Sequence, residues 1–121
     1  MPIRTGGYRT NVDVLERRSA TRVVVRAPVR FAAFGEHPMP GAEAIDASYD
    51  GVLLALAEPV GLVPNTRVCV SWSTERGALH LLGHVRRVQR GDDFRTYVAL
   101  SIEEPGNAED LELWRSTVDP H

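Results

Sequence analysis

The sequence has no lysine: all 14 of its Lys and Arg positions are arginine. It has a single cysteine, Cys69, and its longest apolar run is the short GVLLALA at Gly51 to Ala57. One cysteine excludes an intrachain disulfide. A run that short falls far below the roughly 20 residues a membrane helix needs. Met1 to Thr10 is polar and has no apolar signal-peptide core, so no membrane insertion and a cytoplasmic location are expected. A net charge of -2 gives no global attraction to nucleic acid. What remains is a chain of 121 residues, 43% hydrophobic, which suits one small domain with a modest core.

Hydrophobic periodicity assigns the elements. In RVVVRAPVRF, residues Val23, Val25, Ala27, Val29 and Phe31 alternate with Arg22, Val24, Arg26, Pro28 and Arg30. A period of two is a strand. A helix there would stack Arg22, Arg26 and Arg30 at i, i+4 and place Pro28 in its interior. GEHPMPG (Gly35 to Gly41) is turn chemistry, and AEAID and GVLLAL come after it as short strands. RVCVSW, LHLLGHVRRV and TYVALSI are the remaining three, separated by turns at TERG and at Arg90 to Asp93. The tail changes period: Asn107 is placed to cap a helix, Asp110 complements its N-terminus, and Leu111, Trp114 and Val118 recur at helical spacing. The sequence therefore predicts an all-β fold of six short antiparallel strands, a small barrel or sandwich, with a short C-terminal α-helix. Residues 1–15 read as a flexible N-terminal arm, 16–104 as the β domain and 105–121 as the helix and tail.

The loop IDASYDG, Ile45 to Gly51, carries two acids, a hydroxyl and a glycine. Its D-x-S-x-D-G spacing fits the front of a calcium loop, a nucleotide-binding turn or a plain tight turn. A calcium loop needs a bidentate glutamate at its twelfth position, which counted from Asp46 is Ala57, and its flanks should be helical. Calcium is thereby disfavoured. His80 and His84 on a strand stand about 13 Å apart, too far to share a zinc ion. Ser48 sits in no G-x-S-x-G elbow and has no base assigned beside it. No metal, cofactor or catalytic activity is expected, so the chain is read as a non-enzyme.

R18-S-A-T-R22 and D46-A-S-Y-D-G51, taken together and in this order within an all-β chain, resemble the PilZ domain, the bacterial receptor module for cyclic di-GMP. The resemblance runs from about Glu16 to Glu103: an arginine-rich lead-in with RxxxR, a first strand, a [DN]xSxxG loop between the second and third strands, then the later strands. The chain departs from the pattern in two ways. Thr96 and Tyr97 stand where the family usually has a glycine entering the last strand, and Asp50 adds a second acid to the loop.

The resemblance implies that the six strands close as a small antiparallel β-barrel, and it implies a site of Arg17, Arg18, Arg22, Asp46, Ser48 and Gly51 for cyclic di-GMP. The residue chemistry agrees with it. Guanine presents O6 and N7 acceptors on one edge, which the guanidinium fork of Arg18 or Arg22 matches. Its N1 and N2 donors suit the Asp46 carboxylate and, to a smaller degree, the Ser48 hydroxyl. Gly51 keeps a Cβ out of the turn, and Arg17 or Arg18 can meet phosphate through charge-assisted bonds. The implied function is a cyclic di-GMP receptor that orders its arginine arm on binding and signals to a protein partner, with motility, pilus, chemotaxis or polysaccharide machinery as the family's usual settings. The alternative is a PilZ-fold adaptor that works through protein contacts with weak or no ligand binding. A barrel binding single-stranded nucleic acid would need stacking aromatics on its strands. No such cluster is present, so no nucleic-acid partner is expected.

Overall fold

The structure is a computed structural model that describes residues 22–57 and 61–119. Its described strands are β1 (Val23–Pro28), β2 (Arg30–Ala33), β3 (Glu43–Ser48), β4 (Gly51–Leu56), β5 (Arg67–Thr74), β6 (Gly77–Arg90) and β7 (Thr96–Ile102), followed by helix α1 (Ala108–Val118). They form one antiparallel sheet in the order β1-β3-β4-β7-β6-β5-β2, curled into a half-barrel.

Seven strands replace the expected six because the first predicted strand is two. The inward alternation runs unbroken from Val23 through Phe31, but the hydrogen bonding changes partner in its middle. β1 pairs with β3, whereas β2 pairs with β5 at the opposite edge of the sheet. Pro28 has no N–H to give a ladder. The Val29 N–H turns instead to the Ala42 carbonyl at 3.1 Å. One short stretch of chain therefore supplies both edges of the sheet.

The core lies inside the curl. Phe31, Val52, Leu54, Leu79, Leu81 and Val98 are all but fully buried on its inner face. Burying a side chain of this size contributes about 1.5–3 kcal/mol. Helix α1 supplies Leu113, Trp114 and Val118 to the same core, with Trp114 edge-on to Trp72 at 6.0 Å between ring centroids. The helix starts where expected: the Asn107 side chain accepts a hydrogen bond from the Asp110 N–H at 2.8 Å. Glu109 and Asp110 lie in its first turn and Arg115 in its last, both favourable to the helix dipole. It packs between the β3–β4 turn and the β5–β6 hairpin, where Arg76 donates to the Ser116 hydroxyl at 2.7 Å. No described helix is long and apolar enough to cross a membrane.

Candidate functional site

The D-x-S-x-D-G loop is the β3–β4 turn. Asp46, Ala47 and Ser48 end β3, Tyr49 and Asp50 make the turn, and Gly51 opens β4. Its backbone is fixed from two sides. The Ile102 N–H donates to the Asp50 carbonyl at 2.9 Å, and the Trp114 indole N–H donates to the Tyr49 carbonyl at 2.8 Å. A side-chain bond adds to them: the Tyr49 hydroxyl donates to Glu104 at 2.6 Å, which pushes the Tyr49 phenol above the usual tyrosine range. Gly51 is needed for a close approach: a Cβ there would stand 3.1 Å from the Leu100 carbonyl of β7.

Within this frame Asp46 is the exceptional group. The bulge at Ile45, between Ala44 and Asp46, sets the carboxylate on the outer face opposite Val24. Arg22, just ahead of β1, brings its Nε to 3.1 Å from the Asp46 Oδ1, with side chains 48% and 23% exposed. The contact is an ion pair by distance, but the N–H does not point along the bond. Oδ1 is buried and has no hydrogen-bond partner among the described residues. A buried carboxylate oxygen left in that state is costly, about 1–3 kcal/mol or more, and is an acceptor awaiting a donor.

Ser48 is 1% exposed, and its hydroxyl donates to the Asp50 carboxylate at 3.1 Å. The extra acid is thus tied to the loop's own serine. Of the six site residues expected from sequence, the structure brings Arg22, Asp46, Ser48 and Gly51 together. Arg17, Arg18 and the arm they end lie outside the described residues. Arg26 and Arg30 are exposed surface groups further along the chain.

The missing late glycine is remote from this site. Gly51 pairs with Ser101 and Leu56 with Thr96, so Thr96 lies five residues further along the ladder, about 17 Å away. Thr96 is buried, and the Tyr97 hydroxyl donates to Asp93 at 2.7 Å, holding that carboxyl below the usual aspartate range. His80 accepts or donates a 3.0 Å bond with Ser71, and His84 lies 4.0 Å from Glu103. Among the described residues no group of three or more His, Cys, Asp or Glu side chains could hold a metal ion.

The sequence points to Asp46 but not to the group that holds its loop. Helical spacing places Trp114 on the apolar face of α1, which marks it for burial. Nothing in that spacing says that its indole N–H meets the Tyr49 carbonyl.

No family model matches the chain, and no curated protein matches it. Among solved structures it is similar to the Bacillus subtilis inhibitor of motility (MotI/DgrA), with a TM-score of 0.66 at 14% identity. That match covers 88% of this chain and 52% of the other, so the chain spans about half the length of that protein. At such low identity the likeness is one of fold.

Proposed function

We propose that this chain is a PilZ-like regulatory module that binds cyclic di-GMP through Arg22, Asp46 and the arginine-rich segment ahead of β1, and acts by binding and not by catalysis. The observation that carries the reading is the Asp46 Oδ1, a buried acceptor with no hydrogen-bond partner among the described residues, on a loop pinned by Trp114 and Ile102. A guanine N1–H or N2–H is the kind of donor it lacks. Arg22 already stands beside it, so a bound guanine would take over the carboxylate and leave the guanidinium fork for its own O6 and N7 or for phosphate. Ser48 supports the loop by donating its hydroxyl proton to Asp50. Arg17 and Arg18 supply the remaining positive charge, and a ligand that engages both them and Asp46 orders the arm. The ordered arm and the face beside it form the surface a protein partner reads. The similarity in fold to a protein named as an inhibitor of motility makes motility machinery the first partner to test. The working location is the cytoplasm.

Calorimetric titration with cyclic di-GMP, cyclic di-AMP and GTP tests the reading. Cyclic di-GMP should bind, and cyclic di-AMP should bind far more weakly because adenine offers an N6 donor where the fork needs an acceptor. Equal affinity for the two would end the guanine-reading role. Amide exchange over residues 5–22 should slow on binding, and an arm equally protected without ligand would move the switch elsewhere.

A second reading rests on the Arg22–Asp46 contact itself. If that ion pair outcompetes the ligand, the chain is a PilZ-fold adaptor that works through protein contacts, and the titration shows no heat with any nucleotide.

A further inference from the structure

Three bulges interrupt an otherwise regular ladder, and all three border one row of outward side chains. The register shifts between Val24 and Ala27 on β1, between Ala44 and Asp46 on β3, and between Val85 and Arg87 on β6. Directly opposed residues then run Val24, Asp46, Leu53, Ala99 and Arg87 across β1, β3, β4, β7 and β6. Opposed residues on antiparallel strands share a face. The adjoining row of Ala47, Val52, Leu100 and Val85 is buried in the core, so this row faces out.

A bulge adds one residue to one strand, and those on β3 and β6 reverse the facing of the residues beyond them. Ile45 and Arg86 are the two added residues on β3 and β6. Arg26, in the β1 bulge, takes a φ of 45°, a left-handed conformation that costs a non-glycine residue energy. Bulges re-aim side chains next to functional sites. Here two of them place an acid at one end and a cation at the other end of one strip, with only Leu53 and Ala99 between. The flanking row of Ser48, Gly51 and Ser101 is small, and beyond it His84 and Arg67 both face Glu103, at 4.0 and 3.6 Å.

We propose that Arg87 is a second anchor of the ligand site, holding the half of a cyclic dinucleotide that Asp46 does not take. The inference rests on the receptor reading above. Asp46 and Arg87 stand three strand spacings apart, about 14 Å. Asp46 takes the donor edge of one guanine, and the Arg87 fork takes the phosphate or the O6/N7 edge of the other half. A mononucleotide seated on Asp46 has no second base for Arg87.

The test titrates the full chain with cyclic di-GMP and with GMP, using wild type, Arg87→Ala and Arg30→Ala. Arg87→Ala should weaken cyclic di-GMP about tenfold and leave GMP unchanged. Arg30→Ala, an exposed arginine on β2 at the far edge of the sheet, should change neither. Thermal melting checks the fold, and Arg87→Gln replaces the alanine variant if that one fails to fold. Wild-type affinity in Arg87→Ala overturns the proposal. So does an equal loss in Arg30→Ala, which would mean general electrostatics, or an equal loss of GMP, which would place Arg87 at the Asp46 end. A wild type that binds neither nucleotide refutes the receptor reading and this anchor with it.

Discussion

Replacing Trp114 by Phe separates the helix's role in stability from its role in shaping the site. Trp114 is fully buried, and its indole N–H is the donor that the structure gives to the Tyr49 carbonyl, at 2.8 Å. Phenylalanine keeps an aromatic ring but has no N–H. Loss of the hydrogen bond should cost about 1 kcal/mol, toward the low end for a buried acceptor because the exposed turn lets water reach the carbonyl. The smaller ring leaves a void beside Trp72, which adds about 1–2 kcal/mol. The expected total of about 2–3 kcal/mol is a large share of a small domain's stability and should be plain in urea denaturation. Leu113→Ala is the matched control. It removes a buried side chain from the same helix at a cost of about 2–5 kcal/mol, yet touches no atom of the turn's hydrogen bonding. Calorimetry on the folded fraction should then show cyclic di-GMP affinity falling several-fold in Trp114→Phe and holding in Leu113→Ala. Equal affinity losses in both variants, or none in either, would refute the idea that this one bond sets the conformation of the Asp46 loop.

Arg18→Ala, Arg22→Ala and Asp46→Ala should each weaken cyclic di-GMP by about tenfold or more, the effect of losing one charge-assisted contact, while Arg26→Ala should not. Binding that tracks Arg26 and ignores Arg18 would shift the motif's register. Gly83→Ala should destabilise the fold much more than Gly51→Ala, because an added Cβ would overlap the Ser101 carbonyl in the first case and stand 3.1 Å from the Leu100 carbonyl in the second. Urea midpoints in the reverse order would contradict that packing. The hydrogen bond from Tyr97 lowers the Asp93 pKa in the fold. The ionised carboxylate therefore contributes stability above the ordinary aspartate value of about 3.9, and that contribution is lost as pH falls through the lowered folded value. Tyr97→Phe should raise the Asp93 pKa in a carboxyl NMR titration, and an unmoved value would show that the bond does not persist in solution.

Much of this was legible because the residues involved obey local rules. The alternation around Val23 to Phe31, the turn chemistry between strands and the Asn107 cap each follow from spacing that needs no tertiary partner. The break at Val29 was hidden by the same alternation. Inward residues keep their period across it, and only the change of hydrogen-bonding partner marks two strands. The bulges at Ile45 and Arg86 were also silent, since neither residue is a glycine nor otherwise unusual in a strand, and a facing reversal shows only once the opposite strand is known. Asp46 and Arg22 were identified by residue type and order. Their contact depends on β1 lying beside β3, which a one-dimensional pattern does not encode.

That neighbourly position of β1 also has a bearing on how the molecule folds. The β3–β4 and β5–β6 hairpins join residues close in sequence, so they form with little loop-closure cost. The stretch around Val29 must instead find two distant partners, pairing Val23 with Ala47 on one side and Arg30 with Ser71 on the other. Such non-local pairings slow folding. Since Arg22 reaches Asp46 only when β1 is seated on β3, no partly folded chain lacking that pairing can present the two groups together. A ligand that needs both would bind only chains in which that seam is closed, and by mass action it would hold it closed.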